Sequence, residues 1–322
     1  MSVQVLVVGS LNLDLVAQVH RHPRPGETVL AQHFATYPGG KGANQAVAAA
    51  RLGAEVTLVG RLGKDTAGET LRHAASAESI STAFIYVDED APTGQALIVV
   101  DDLGENTIVV VPGANGHVSP ADLERASQAF DQAAVLVLQL EIPVETVLAA
   151  SQMAAQRHIP VILNPAPAQA LPRELLHNVS VLVPNRSELF TLAGDASSLE
   201  QALAELHRQG PADIVITLGK EGVLWDRQGV RRQFAAFPVE PVDTVAAGDA
   251  FVGALAVALA EGRSMEEAIL CGNAAGALAV TRHGAQPSLP RRDELERFLG
   301  ERGERLRDIM KASTKEAEGK ES

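Results

Sequence analysis

The segment at residues 243–254, DTVAAGDAFVGA, combines small residues with one acid at the point where an apolar helix begins. Ala246, Ala247 and Gly248 have little or no side chain, so their backbone N–H groups can approach a phosphate closely. A carboxylate at Asp249 could take a proton from an attacking hydroxyl while the helix N-terminus neutralises the developing negative charge. The segment therefore suits phosphoryl transfer. The alternative is an acid that only complements the helix dipole, and the segment alone leaves both open.

A glycine-rich segment, YPGGKGANQAVAAARLG, forms a second cluster. Gly39, Gly40 and Gly42 permit tight backbone turns, and Lys41 and Asn44 supply hydrogen-bond donors at a helix start. These donors could bind a ligand. The alternative is a glycine loop followed by a capping asparagine.

Polar residues also follow two predicted strands. In SLNLDL, Asn12 and Asp14 alternate with leucine, so both side chains point to one face if the segment is extended. A paired donor and acceptor suit the vicinal hydroxyls of a sugar, although plain polar alternation on a solvent-facing strand gives the same spacing. Glu141 ends the run VLVLQLE, at a strand end where α/β sheets bind ligands, or it is a capping acid in the next turn.

Three common cofactor and metal motifs are absent from the sequence. Lys41, Lys64 and Lys220 each follow glycine, but none precedes Ser or Thr as in a Walker loop. Residues 40–45, GKGANQ, lack the last glycine of a dinucleotide fingerprint, which argues against a nicotinamide-dependent dehydrogenase. The histidines show no zinc-binding spacing. The single cysteine, Cys271, allows no intrachain disulfide and fits a buried position in a reducing cytoplasm.

The overall composition excludes other classes of protein. The chain has 322 residues and a formal net charge of −13, which argues against nucleic acid as the main partner because phosphate neutralisation needs a basic face. A small anion bound at a helix N-terminus remains compatible with that charge. No apolar run approaches the length of a membrane span, and the start, MSVQVLVVGS, is too short for a signal peptide. We therefore expect a cytoplasmic protein with no membrane partner.

The elements that must position these residues alternate between strand and helix. Continuous apolar runs that end in Gly, Asn, Pro or Ser predict strands buried on both faces, with helical patterns between most of them. This alternation predicts an α/β fold with a doubly wound, mostly parallel sheet flanked by helices. The predicted strands are VQVLVVGS, EVTLVGRLG, AAVLVLQLE, PVILNPAP, VSVLVPN and DIVITLGK.

Two regions interrupt the alternation, at about residues 13–38 and 93–111. Their strand-like runs have no helices between them, and DLGEN resembles a hairpin turn. We predict that both are insertions into one domain of residues 1–300 and form a small antiparallel sheet; an edge extension of the main sheet is the alternative. The charged segment at residues 301–322 predicts a solvated helix that frays.

Several motifs occurring in order give the chain a resemblance to the ribokinase family of carbohydrate kinases, from about Val5 to about Leu299. Besides the two segments above, the resemblance rests on NPAPA at 164–168, PNRSE at 184–188, TLGKEG at 217–222 and TRHGAQPS at 281–288. It implies that Asp249 is the general base that activates the primary hydroxyl of a sugar. The charged tail extends beyond the usual end of the family.

The resemblance also implies roles for the other residues. The implied anion hole for the γ-phosphate is Ala246, Ala247 and Gly248. The implied sugar-binding residues are Asn12, Asp14, Gly40, Lys41, Asn44, Glu141 and Asp249. The implied nucleotide-binding residues are Asn185, Thr217, Gly219, Gly222, Gly248 and Asn273. Glu188 would act indirectly on Mg2+, and the loop pair around an activating K+ would be Asp243, Val245, Ala279, Arg282, Gly284 and Ser288.

The activity implied by the resemblance is the ATP-dependent phosphorylation of D-ribose at O5, with the small sheet as a lid over the sugar and as the contact of a homodimer. A kinase of the same family acting on deoxyribose, another sugar or a nucleoside is the first alternative. A sugar-binding sensor without catalysis is a second, which an intact Asp249 and the small residues before it disfavour.

Overall fold

A nine-stranded sheet forms the centre of the molecule in the computed structural model, which describes residues 2–301. Its strand order is β13-β12-β11-β10-β9-β8-β1-β4-β5. Its strands are β1 (Gln4–Val8), β4 (Glu55–Gly63), β5 (Ile85–Asp88), β8 (Val135–Leu138), β9 (Val161–Leu163), β10 (Val181–Leu182), β11 (Asp213–Thr217), β12 (Val223–Arg227) and β13 (Val230–Phe234). The strands from β5 to β11 pair in parallel, which confirms the predicted mostly parallel sheet.

The antiparallel edge of this sheet was not predicted from the sequence. Strand β12 pairs antiparallel with β11, and β13 pairs antiparallel with β12. Only two residues, Gln228 and Gly229, separate β12 from β13, and both have positive φ. This two-residue loop is the tight turn of a β-hairpin.

Helices cover both faces of the main sheet. They are α1 (Lys41–Arg51), α2 (Thr66–Ala77), α3 (Pro120–Arg125), α4 (Ser127–Gln132), α5 (Val144–Gln156), α6 (Arg173–His177), α7 (Arg186–Ala193), α8 (Leu199–Gln209), α9 (Ala247–Ala260), α10 (Met265–Ala279), α11 (Ala285–Ser288) and α12 (Arg292–Gly300). Alternate residues of β1 face opposite cores: Val5 and Val7 pack with α1, α9 and α10, whereas Leu6 and Val8 pack with α5 and α8. The sheet is thus buried on both faces, as the apolar runs indicate.

A second, four-stranded sheet comes from the two regions without helices. Its strands are β2 (Asn12–Gln18), β3 (His33–Gly39), β6 (Gly94–Val100) and β7 (Asn106–Val111), in the order β3-β2-β6-β7. Each hairpin is antiparallel, and β2 joins them by pairing in parallel with β6. The strands therefore form a sheet of their own rather than an edge of the main sheet.

Two further predictions concern the charged tail and a membrane-spanning segment. The predicted tail, residues 301–322, lies outside the described residues apart from its first residue. None of the helices between residues 2 and 301 is both long and apolar enough to cross a membrane.

Candidate active site

The carboxyl ends of the parallel strands place polar residues along one edge of the main sheet. Ser10 follows β1, Glu141 follows β8, Asn164 follows β9, Asn185 follows β10, and Thr217 ends β11. Ligands of open α/β sheets bind at this edge. Helix α9 begins there as well, since its residue Asp249 bonds to the start of α1.

The start of α9 has a left-handed residue and open space in front of it. Ala246, which precedes the helix, has φ 59° and ψ 8°, a conformation that costs a side chain about 1–2 kcal/mol. The first regular helical bond runs from Ala250 N to Ala246 O at 2.8 Å, so helix geometry leaves the N–H groups of Gly248 and Asp249 without an acceptor in α9. A Cβ added at Gly248 would meet nothing within 4 Å. These features form a place for an anion at a helix N-terminus.

The Asp249 side chain does not cap its own helix. It is 5% exposed, and its oxygens accept hydrogen bonds from two side chains of α1. Asn44 Nδ2 donates to Oδ2 at 3.0 Å, and Gln45 Nε2 donates to Oδ1 at 2.9 Å. Asn44 is likewise not the cap of α1, which begins after Gly40. Neither side chain therefore forms a capping hydrogen bond to its own helix, and the two side chains bond to each other instead.

A cluster of polar residues, termed the groove, lies beside Asp249 and contains the predicted sugar residues Asn12, Asp14, Lys41, Asn44 and Glu141. Asn12 and Asp14 lie on the buried face of β2, at 2% and 8% exposure, which rules out a solvent-facing strand. Gly40 passes the start of β2 with φ 87°, where an added Cβ would lie 2.7 Å from Asn12 N. Only glycine suits this close approach.

Glu141 ties the groove to the start of α1. Its Oε2 accepts from Ser10 Oγ at 2.6 Å, from Lys41 N at 3.0 Å and from Asn12 Nδ2 at 3.4 Å. Glu141 is thus a capping acid, but for α1 across space and not for the helix that follows it in the sequence. One carboxylate holds the glycine loop and strand β2 together.

Charges in the groove are crowded. Burial, followed by the negative charges of Glu141 and Asp249, raises the pKa of Asp14 to about 7. Burial opposes the charge of Lys41, but the neighbouring Asp249, Glu141 and Glu188 outweigh it and raise its pKa. Lys41 therefore stays cationic beside these three acids. The pKa of Glu188 is raised mainly by its burial.

Sequence reasoning missed Asn115, which follows strand β7 of the small sheet and is 1% exposed. Its Oδ1 accepts from Leu11 N at 2.9 Å, and its Nδ2 donates to Leu11 O at 3.0 Å and to Asn12 Oδ1 at 2.7 Å. The backbone of Leu11 fixes which end of the Asn115 amide donates, and this in turn turns Asn12 Nδ2 toward Glu141. No local spacing could have shown this contact, because 104 residues separate Asn115 from Leu11.

A cavity of about 670 Å³ lies at the start of α9, where Ala247 and Gly248 line it. All six residues predicted for the nucleotide line it: Asn185, Thr217, Gly219, Gly222, Gly248 and Asn273. Ala247 of the predicted anion hole lines it too. Much of the remaining wall is apolar and was not predicted; it includes Phe237, Pro238, Val239, Pro241 and Phe251. The volume and the apolar walls suit a planar base with its sugar and phosphates.

Two predicted nucleotide residues have structural bonds of their own. Asn185 and Glu188 form a capping box at the start of α7, with Glu188 N donating to Asn185 Oδ1 and Asn185 N donating to Glu188 Oε2, both at 2.8 Å. Asn273 Nδ2 donates to Ala235 O at 2.8 Å, which holds the 235–241 wall of the cavity against α10.

The loops predicted to surround a monovalent cation meet at Asp243. Its Oδ1 accepts from Val245 N and its Oδ2 from Gly284 N, both at 2.9 Å. Arg282 pairs with Glu294, Ala279 is buried in α10, and the buried Ser288 Oγ donates to Ala285 O at 2.7 Å. Asp243 thus joins the segment before α9 to the segment after α10. Between residues 2 and 301, no group of three or more His, Cys, Asp or Glu side chains could hold a metal ion.

Comparison with known proteins finds ribokinases that match about nine-tenths of the chain. The chain is 42% identical to a ribokinase of Haemophilus influenzae over 297 residues, which cover 91% of this chain and 97% of that protein. Among solved structures, a ribokinase from Thermotoga maritima superposes with a TM-score of 0.85 at 38% identity and covers 93% of this chain and 100% of its own. An Arabidopsis thaliana ribokinase complexed with ribose and ATP gives 0.84 at 34% identity, with 93% and 99% covered.

The family model for pfkB family carbohydrate kinases matches residues 3–292. That match spans both sheets, the groove, the cavity and the start of α9. The chain belongs to the pfkB family of carbohydrate kinases.

Proposed function

We propose that the protein transfers the γ-phosphoryl group of ATP to O5 of D-ribose and so makes D-ribose 5-phosphate. One observation carries the proposal: Asp249 lies in the first turn of α9, accepts hydrogen bonds from the side chains of Asn44 and Gln45, and directly follows Gly248, which lines the cavity. The relatives support the choice of substrates, because the similar proteins are ribokinases and the Arabidopsis one is complexed with ribose and ATP.

In the proposed mechanism, the sugar lies in the groove with its primary hydroxyl toward Asp249. Asp249 accepts the hydroxyl proton as the oxygen attacks the γ-phosphorus and ADP leaves from the opposite side. The N–H group of Gly248 and the dipole of α9 stabilise the charge on the transferring group, whereas the N–H group of Ala247, expected in the same anion hole, donates to Thr244 O at 3.4 Å in this structure. Closure of the lid over the sugar excludes water, which otherwise competes as the acceptor.

Mg2+ is part of the proposal as the partner of ATP. Mg2+ in kinases is held largely by phosphates and water, with one or two carboxylates. The site fits this mode, because Glu188 lies close enough to Asp249 and Lys41 for their charges to affect its pKa. When bound, Mg2+ would neutralise phosphate charge, with Glu188 acting on it through water.

We also propose K+ as an activating cation held beside Asp243. Asp243 lies between the segment before α9 and the segment after α10. Its carboxylate and the backbone carbonyls of these two segments would supply the oxygen ligands that such an ion takes. An ion there would order the segment before α9 and so the N–H groups that face the phosphate. Turnover should therefore be higher in K+ than in Na+, and equal turnover in K+ and in a bulky organic cation would contradict the site.

The lid sheet is the proposed contact of a homodimer. Val109 and Val111 of the exposed strand β7 lie on the same face of the small sheet as exposed Leu97 and Phe34, and the four side chains form one apolar surface. Apolar patches of this kind mark contacts between proteins. A lysine at Val109 should shift the mass measured by light scattering from dimer to monomer. A cytoplasmic location fits the proposed chemistry, since ATP is the co-substrate.

Activity against a panel of acceptors tests the function. ADP release would be measured with pentoses, hexoses and nucleosides, and the phosphorylated position would be determined by 31P NMR. We expect the highest kcat/KM for D-ribose and a phosphate on O5. A preference for deoxyribose or a nucleoside would move the assignment to another member of the family, and ADP release without a phosphorylated sugar would refute it.

A further inference from the structure

We infer that Gln45 is a positioning residue that holds an N–H donor on Oδ1 of Asp249, and that Asn164 fixes which end of the Gln45 amide faces the carboxylate. The inference rests on the proposed role of Asp249 as the base. Neither amide belongs to the sugar or nucleotide residues expected from the sequence.

Both N–H donors of the Gln45 amide and one lone pair of its oxygen are engaged inside the protein. Its Nε2 donates to Asp249 Oδ1 at 2.9 Å and to Asn164 Oδ1 at 3.1 Å, and its Oε1 accepts from Gln139 Nε2 at 2.6 Å. The residue is 1% exposed. Because both donors are engaged and the side chain is buried, Gln45 offers no N–H group to substrate, and its effect is expected to pass through Asp249.

A backbone carbonyl sets the direction of this chain of amides. Asn164 Nδ2 donates to Val183 O at 2.9 Å, and a carbonyl can only accept. Asn164 must therefore direct its own oxygen toward Gln45, and the NH2 group of Gln45 donates to that oxygen. The same NH2 group reaches Asp249. The alternative orientation of Gln45 would set its oxygen against both Asn164 Oδ1 and the carboxylate, which is repulsive.

The second donor to Asp249 has no such anchor. Asn44 Nδ2 bonds to Asp249, but the buried Asn44 Oδ1 has no hydrogen-bond partner among the described residues. That oxygen is available to a sugar hydroxyl, whereas the Gln45 oxygen is occupied. The two amides thus have different roles. Asn44 can hydrogen-bond to the substrate, and Gln45 holds the Asp249 carboxylate in one orientation.

Other charges also act on Asp249 and bear on any pH measurement. Asp14 on β2, Lys41 on α1 and Glu188 on α7 interact with it electrostatically, and Glu141 acts on Asp14 and Lys41. A substitution that leaves all four in place isolates the contribution of Gln45. Gln45→Met and Gln45→Glu meet this condition and nearly preserve the volume of the side chain.

The test compares kcat, KM for ribose and pH profiles of these variants. We expect Gln45→Met to lower kcat roughly 10- to 100-fold, because a freed carboxylate spends most of its time misaligned. KM for ribose should change by less than about threefold, since Gln45 does not touch the sugar. In Gln45→Glu, a second carboxyl group beside Asp249 should move the acid limb of the kcat/KM profile upward by about one pH unit.

A double variant tests the role of Asn164. If Asn164 acts through Gln45, then Asn164→Leu combined with Gln45→Met should lose no more kcat than Gln45→Met alone. Thr146→Val is the matched control: Thr146 is 1% exposed, its Oγ1 donates to Val118 O at 2.7 Å, and it is neither a groove residue nor a residue of the cavity wall. It should lower the melting temperature without lowering kcat.

The outcomes separate this inference from the proposed function. If Asp249→Asn retains near-normal turnover, the proposed base is wrong and the inference falls with it. If Asp249→Asn loses turnover while Gln45→Met keeps kcat within about twofold and Gln45→Glu keeps the parent pH profile, only the role of Gln45 is overturned. Additive losses in the double variant would overturn the role of Asn164.

Discussion

The groove beside Asp249 and the cavity at the start of α9 are built from different kinds of residue. The proposed sugar side consists of charged and amide side chains, of which Asn12, Asn44 and Glu141 are held by hydrogen bonds to other side chains; its members are Asn12, Asp14, Lys41, Asn44 and Glu141. The nucleotide side consists of glycines, a helix start and an apolar wall around a cavity of about 670 Å³. In the proposed function, the first side would recognise individual hydroxyls, and the second would recognise shape and phosphate charge.

This difference has a cost in stability that falls on one side only. Side chains that bind hydroxyls must stay polar and partly unpaired in a buried groove, as the raised pKa of Asp14 shows. Glycines and backbone N–H groups at a helix end bring no buried charge. We expect substitutions on the sugar side to trade stability against specificity, and those on the nucleotide side to affect ATP alone.

The largest effect should come from Asp249, which belongs to neither side. Asp249→Asn should lower kcat by roughly 10²- to 10⁴-fold, or about 3–5 kcal/mol of barrier, because the proton acceptor is lost. The substitution is nearly isosteric, so ribose and ATP should still bind. Steady-state kinetics and calorimetric titration with each ligand check this, and a variant with near-normal kcat would remove Asp249 from the mechanism.

A pH-dependent gain in stability should follow from Asp14→Asn. The folded protein keeps a proton on Asp14 up to about pH 7, whereas the unfolded chain, with the ordinary value of 3.8, loses it earlier. Stability from this group is therefore lost as pH rises from about 4 to 7, and the full cost, roughly 2–4 kcal/mol, remains above pH 7.

The amide variant should remove this cost. Without ligands, Asp14→Asn should raise the melting temperature clearly at pH 8 and hardly at all at pH 4. Melting curves of both proteins at a series of pH values measure the effect. A variant that is less stable than the parent at pH 8 would show that the buried carboxylate is well compensated and that the groove stores no such cost.

Substrate choice should depend on the same carboxylate. A site that binds a hydroxyl leaves buried groups unpaired when the hydroxyl is missing, at about 1–3 kcal/mol each. We expect kcat/KM for 2-deoxyribose to be roughly 10- to 100-fold below that for ribose, and Asp14→Ala to narrow this gap. The measurement is kcat/KM for both sugars in both proteins. An equal loss for both sugars would mean that Asp14 does not recognise the 2-hydroxyl.

The smallest effect should come from Gly248→Ala on the nucleotide side. The added Cβ would enter the open space before α9, where the phosphate is expected, so kcat/KM for ATP should fall roughly 10-fold, or about 1.4 kcal/mol. The fold should be slightly stabilised, since alanine favours a helix over glycine.

A matched control for this variant lies at the end of α12. Gly300 also has open space around an added Cβ and lies outside the groove and the cavity. Gly300→Ala should leave kcat/KM for both substrates unchanged. If Gly248→Ala changed KM for ribose instead of ATP, the division between the two sides would be wrong.

The comparison also shows how far sequence can lead. Residue type and short-range spacing identified the apolar strands, the small residues before α9 and the single polar face of Asn12 and Asp14. These features are local, because a strand repeats every two residues and a helix start needs only its own N–H groups. The same local features, together with the motif order, were enough for the family.

Tertiary structure alone decided which polar groups meet. Gln45 lies 119 residues from Asn164, and Asn115 lies 103 residues from Asn12. An amide in the sequence carries no sign of which end will donate; that is set by the backbone carbonyl or N–H that packing brings to it. The high pKa of Asp14 likewise arises from burial and from acids on other elements. The sequence by itself determined the kind of chemistry, and packing determined the orientation and charge of the groups that perform it.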